Sequence, residues 1–195
     1  MRRISKRDEL IRVGRNIVVQ QGFKAASLKD ILTTAGIPKG SFYYYFSSKE
    51  DFGLAIVDDF AREYQTRLKN ILENENYSPL TRLRNYFELK ITEMKACECT
   101  EGCLIGNLAQ ELSAQNEQFR DRIDRVFAAW EQRFIECLQL AQQSGEISAD
   151  IPVVDLAKFI LSSWEGAILQ AKVKKSTAPM ETFVKVLFTQ VLNKN

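Results

Sequence analysis

Four cysteines are the most reactive side chains in this 195-residue chain, which contains no histidine. Three of them, Cys97, Cys99 and Cys103, fall within seven residues. Clustered thiols can hold soft metals or react with oxidants and electrophiles. The metal alternative lacks a histidine, a C-x2-C pair and a fourth ligand within reach, so no metal and no cofactor are expected. Cys103 follows Gly102 and precedes the apolar helical run from Leu104 to Leu112. A thiol at a helix start has a lowered pKa and a larger thiolate fraction, which makes Cys103 a candidate sensor. The alternative is a small side chain tucked under a helix end. Cys137 lies on an apolar stripe and reads as a core residue. Without histidine there is no nucleophile with an obvious activating base, and no paired carboxylates converge, so an enzyme is not expected.

A second set of residues points to polyanion recognition. Lys39 can donate to guanine O6 and N7 or to phosphate, Ser41 is a short donor and acceptor, and Gly40 lets a helix backbone approach closely. Tyr43 and Tyr44 offer hydroxyls to phosphates or rings to thymine methyls. Lys49, in the first turn of the next helix, combines a cation with unpaired backbone N–H groups and is expected to clamp phosphate. Net charge supports this division. Residues 1–49 hold ten Lys/Arg against three Asp/Glu, and residues 50–195 hold seventeen against twenty-two, so a total of +2 conceals +7 and −5. A basic head on an acidic body suits a polyanion such as nucleic acid, and from charge alone a solvated charged face fits equally well.

The elements that must position these groups are all helical. Residues 5–21 repeat apolar side chains at three- and four-residue steps, with Ser5 and Asp8 spaced as a capping box and Gly22 as the stop. Ser27 and Asp30 begin a second helix that ends at Gly36, and Pro38 opens a third through Phe46. A Ser47-to-Glu50 box starts a long helix to about Asn70. Further helices are expected from Pro79 to Ala96, from Cys103, along the stripe from Phe119 to Ala141, and over 153–173 and 179–193. Hydrophobic content is 45% and charged content 27%, as in globular proteins. No run is long and apolar enough to span a bilayer and no signal-peptide core follows the basic N-terminus, so a cytoplasmic location and no membrane partner are expected. The fold class is all-α: a three-helix head containing a helix-turn-helix, residues 1–50, and a helical body, residues 51–195, for ligand sensing and dimerisation.

Ser27 through Lys49 has the build of a helix-turn-helix, whose second helix enters the major groove. Over residues 8–54 the chain resembles the TetR family of bacterial transcriptional regulators. The resemblance is carried by Gly22-Phe23, Ser27-Leu28-Lys29-Asp30-Ile31, Ala35-Gly36-Ile37, Lys39-Gly40-Ser41-Phe42-Tyr43, Phe46 and Ser48-Lys49-Glu50. It implies DNA contacts at Ser27, Lys29, Lys39, Gly40, Ser41, Tyr43, Tyr44 and Lys49. Tyr45 stands where many members have histidine. The family implies a homodimer on a palindromic operator of double-stranded DNA, commonly a repressor, released by an inducer that shifts the spacing of its two heads.

The body adds two expectations. The helix over 153–173 is apolar on more than one face, and with the last helix it is expected to pack against a second copy as a four-helix bundle through Ile160, Trp164, Ile168, Phe183 and Leu187. The stretches Glu101-Gly102-Cys103-Leu104 to Leu112 and Gly166 to Lys172 resemble TetR regulators of the NemR type, which respond to reactive electrophiles and oxidants through cysteine. That resemblance implies sensing through Cys103, with Lys172 in the same region. A noncovalent small-molecule inducer in an aromatic-lined pocket is the alternative, and a helical adaptor that binds no DNA is a third reading, at odds with the basic head.

Overall fold

The computed structural model describes residues 5–193 as helices and connecting turns. Met1 to Ile4, which carry the first two arginines of the basic head, lie outside the described residues. The helices are α1 (Lys6–Gln21), α2 (Leu28–Ala35), α3 (Lys39–Tyr45), α4 (Lys49–Leu72), α5 (Pro79–Ala96), α6 (Leu104–Leu112), α7 (Glu117–Gln143), α8 (Val153–Lys174) and α9 (Ala178–Val186), the last continued by a π-helical turn over Leu187–Val191. Among the described residues there is no strand, and the fold is all-α as the periodicity requires.

Local chemistry sets the helix starts. Ser5 Oγ accepts the Asp8 N–H at 3.1 Å and Ser27 Oγ accepts the Asp30 N–H at 3.0 Å, so both boxes cap as their spacing predicts. The third differs. Ser48, not Ser47, caps α4 by accepting the Asp51 N–H at 3.0 Å, and the Asp51 carboxylate accepts the Ser47 N–H at 2.9 Å. Two S-x-x-acid boxes overlap in Ser47-Ser48-Lys49-Glu50-Asp51; the later one supplies the cap, and its acid reaches back one residue further, to Ser47. Gly36 ends α2 at φ 64°, a left-handed conformation that glycine adopts without strain, and its N–H returns to Leu32 and Thr33.

The chain divides into two compact units, one formed by the chain up to Glu63 together with Cys103–Asp124, the other by Tyr64–Gly102 with Arg125–Asn195. In the first, α1, α2 and α3 close over Leu10, Ile31, Phe42, Phe46 and Phe52, each at most 2% exposed. Phe42, Phe46 and Phe52 meet pairwise with ring centroids 4.9–5.5 Å apart, the offset and edge-on geometry that aromatic rings favour. Within the same unit the rings of Phe23 and Phe119, the latter at the start of α7, lie 5.3 Å apart. In the second unit the core is aromatic again. Phe87 contacts Trp164 at 4.7 Å and Phe183 at 5.3 Å, and Tyr64 lies 4.6 Å from Trp130. No helix among the described residues is long and apolar enough to cross a membrane.

Candidate nucleic-acid interface and sensing residues

The sequence of α3, Lys-Gly-Ser-Phe-Tyr-Tyr-Tyr, is amphipathic in a way that sorts its aromatics. Phe42 is fully buried and holds the helix on the core, which turns Tyr43 and Tyr44 outward at 56% and 83% exposure. Tyr43 stacks edge-on against Phe42 at 5.4 Å, so its position is fixed although its hydroxyl is in solvent. Lys39 and Gly40 are exposed and Ser41 is half-buried. A Cβ built on Gly40 meets nothing within 4 Å, so packing within the chain does not require glycine there.

Lys29, exposed on α2, joins this surface: Lys29, Lys39 and Tyr43 line one open groove of about 600 Å³ with Leu28, Leu32 and Pro38. Ser27 is occupied as the cap of α2. Two cations, an open backbone and phenolic hydroxyls on one face can bind phosphate oxygens and base edges.

Lys49 has partners within its own chain. It is half-buried, its Nζ donates to the Lys24 carbonyl at 3.3 Å, and the ammonium lies 4.9 Å from the centre of the Phe23 ring. The corner between α1 and α2 offers a carbonyl and an aromatic face, and both attract a cation. These contacts hold the ammonium at the corner between α1 and α2, and its bond to the carbonyl is open to solvent.

Two of the four thiols contrast. Cys103 is the residue before α6, and its Sγ accepts the Gly106 N–H at 3.4 Å, an unpaired donor at a helix start. Cys137 is buried in α7, where its thiol donates to the Pro79 carbonyl at 3.3 Å. Burial pushes its pKa up to about 12, Arg82 opposing and Glu146 adding to the shift. Among the described residues no three His, Cys, Asp or Glu side chains come together to hold a metal ion. Lys172 is half-buried in the last turn of α8. Cys103 belongs to the first unit and Lys172 to the second.

The stripe expected to meet a second copy is largely committed elsewhere. Ile160, Trp164, Ile168 and Leu187 are at most 6% exposed in the single chain, because Trp164 stacks on Phe87 and Phe183 within its own unit. Phe183, half-buried, and Leu187 line the wall of a groove along α8 and α9, whose outer residues are Phe159, Ser163, Gly166 and Gln170. Of the five residues only Phe183 and Leu187 border that surface. Phe159 is 53% exposed, and a Cβ on Gly166 meets nothing within 4 Å.

Sequence reasoning passed over Glu111. Its carboxylate accepts the backbone N–H groups of Phe23 and Lys24 at 2.8 and 2.6 Å. A single acid on the apolar helix α6 was the available signal, but its partners lie nearly ninety positions away.

Residues 10–56 match the bacterial regulatory proteins of the tetR family, and residues 79–187 match the tetracyclin repressor-like C-terminal domain. The HTH-type transcriptional repressor DhaR of Mycobacterium sp. (strain GP1) is 34% identical over 192 residues, spanning 98% of this chain and 95% of that protein. Among solved structures, the regulatory protein TetR from Rhodobacter sphaeroides superposes with a TM-score of 0.87 at 35% identity, covering 91% of this chain and 94% of the other. The reduced form of E. coli NemR superposes with a TM-score of 0.87 at 28% identity, covering 92% and 93%. Both ends of the chain therefore lead to one conclusion: it belongs to the TetR family of transcriptional regulators, which bind operator DNA and act as dimers.

Proposed function

We propose that this chain is a homodimeric repressor whose residues 1–50 read a palindromic operator through α3 and whose residues 51–195 sense an inducer and dimerise. One observation carries the DNA reading. On α3 the buried Phe42 fixes the helix while Lys39, Gly40, Tyr43 and Tyr44 are exposed, and a Cβ on Gly40 meets nothing within 4 Å. Lys39 and Ser41 read base edges, Tyr43, Tyr44 and Lys29 take phosphates, and Ser27 holds the start of α2 against the backbone. Lys49 holds the α1–α2 corner and takes a phosphate from its solvent side. The second copy docks on the groove of α8 and α9, where Gly166 leaves room for a close helix and Phe159 supplies apolar area. Selection of a binding site from random DNA by the purified protein, followed by gel-shift titration, tests the reading. Lys39→Ala is expected to weaken operator binding about 10- to 100-fold, the range for loss of a good base contact. Equal affinity in the variant overturns the assignment.

Release is proposed to pass through Cys103, with Lys172 in the same sensing role. The contact from the Gly106 N–H supports this, since a backbone donor at a helix start favours a thiolate over a thiol. The location follows as cytoplasmic, where such a thiol stays reduced. A second reading, a noncovalent inducer, is favoured by a different observation: the Trp130 indole N–H is buried without an acceptor, beside the Tyr64 ring. Cys103→Ser separates the two. Operator release by 1,4-benzoquinone is expected to be lost in that variant, and persistence of release points to the noncovalent site.

A further inference from the structure

The corner between α1 and α2 is held by two side chains of opposite charge. Gly22 ends α1 at φ 83°, and its N–H returns to the Val18 carbonyl at 2.9 Å. The next two backbone N–H groups, of Phe23 and Lys24, converge on Glu111 from α6: Phe23 N–H donates to Oε2 at 2.8 Å and Lys24 N–H to Oε1 at 2.6 Å. Successive N–H groups aimed at one point make an anion nest, and here the anion comes from the chain itself. A Cβ on Gly22 would stand 3.0 Å from Oε2, so a small residue at 22 leaves room for the carboxylate. At the same residue, in the next peptide group, the Lys24 carbonyl accepts from Lys49 Nζ. The Lys24 side chain in turn donates to Gln115 Oε1, just beyond α6.

Packing alone does not account for this arrangement. α6 buries Leu104, Ile105, Leu108 and Leu112, and an apolar side chain at 111 would sit on that helix equally well. The contact at Lys24 is open to solvent, so its N–H would turn to water if the carboxylate were absent. What the carboxylate adds is direction. It fixes the main chain three residues ahead of Ser27, the cap from which α2 starts, and α2 carries Lys29 and packs against α3.

We infer that Glu111 is a positioning residue for DNA recognition: acting through the backbone of Phe23 and Lys24, it sets the angle at which α2 and α3 are presented, and it ties that angle to α6, whose first turn Cys103 caps. The inference rests on α3 being the DNA-reading helix.

The test compares the full-length protein with Glu111→Leu, Glu111→Gln and Lys39→Ala. Operator affinity, random-DNA affinity, melting temperature and amide hydrogen exchange at Phe23 and Lys24 are measured at fixed salt. Glu111→Leu is expected to weaken operator binding tenfold or more, to leave random-DNA binding within twofold, and to speed exchange at both amides. A role in stability alone would lower the melting temperature without changing the operator-to-random ratio well below it. Glu111→Gln keeps the shape and one oxygen, and is expected to lose protection at one amide and to weaken operator binding less than Leu does. If Glu111→Leu does not fold, the Gln variant decides, and unchanged affinity and exchange in it overturn the inference. Operator affinity within twofold of the parent in Glu111→Leu, with Lys39→Ala still impaired, overturns it as well. If Lys39→Ala is also without effect, the DNA reading of α3 has failed and this inference falls with it.

Discussion

Glycine sits in helices both on the inner faces of α1 and α4 and on the outer faces of α3 and α8, for opposite reasons. On these inner faces, a Cβ on Gly14 of α1 would lie 2.3 Å from the Phe52 ring of α4, and one on Gly53 of α4 would lie 2.4 Å from Phe23 and 2.7 Å from Phe119 of α7. The missing side chains make room for the chain's own core. On the outer faces, a Cβ on Gly40 or Gly166 would meet nothing within 4 Å. Glycine costs a helix about 0.5–1 kcal/mol relative to alanine, and at Gly40 and Gly166 no contact inside the chain offsets that cost. On the proposed function the offset comes from outside, from DNA at α3 and from a second copy at α8. The two outer faces then differ from each other in chemistry, one cationic and hydroxyl-bearing, the other apolar.

The largest effect is expected where the core needs the space. Gly53→Ala should destabilise by about 1–3 kcal/mol, because Phe119 is fully buried and Phe23 nearly so, and neither ring can move aside. Urea denaturation measures it. A variant as stable as the parent would break the comparison at its strongest point. Next comes Gly40→Ala, which should leave the denaturation midpoint unchanged or slightly higher while weakening operator binding about tenfold. Loss of stability without loss of affinity would place the need for glycine inside the fold after all.

How far the letters alone carried this picture can be argued residue by residue. Helix starts at Ser5 and Ser27 and the break at Gly36 are local, settled by side chains three or four positions apart, and local chemistry reads from sequence. The start of α4 was misplaced by one residue because two boxes overlap there. Phe42 inside with Tyr43 and Tyr44 outside follows from helical spacing. Lys49 and Glu111 do not, because their partners at Phe23 and Lys24 are 25 and 87 or more positions away and only folding brings them together. The stripe of α8 shows the same limit in another form. Periodicity says that Ile160, Trp164 and Ile168 share an apolar face, but not whether α5 and α9 or a second chain covers it.

The cysteines repeat the inward and outward distinction in one residue type. Cys137 should resist iodoacetamide in the folded protein at pH 8, whereas Cys103 should react first. The buried Cys137 thiol also predicts an alkaline effect that, for each pH unit, matches the tenfold change at Gly40. An ordinary thiol loses its proton near pH 9 and this one near about 12 in the folded chain, so between those values the unfolded state holds fewer protons. Stability must therefore fall as pH rises through that window, by up to about 1.4 kcal/mol per unit from this group. Cys137→Ala should show a shallower decline above pH 9 than the parent. Parallel slopes would mean that burial does not govern the thiol.

The smallest effect is the most discriminating for the α8 face. Gly166→Ala replaces an exposed mid-helix glycine with the best helix former, so an isolated chain should gain up to about 1 kcal/mol. If a second copy approaches closely at this position, the added methyl group stands in its way and the dimer loses what the monomer gains. Stability then depends on concentration, since a partner that binds only the folded chain raises the melting temperature by mass action. The variant should melt above the parent at protein concentrations low enough to dissociate the dimer, and below it at high concentration. The two curves cross if the glycine serves the interface. A uniform increase at all concentrations would assign Gly166 no role in contact, and Phe159 would then have to hold the second copy without it.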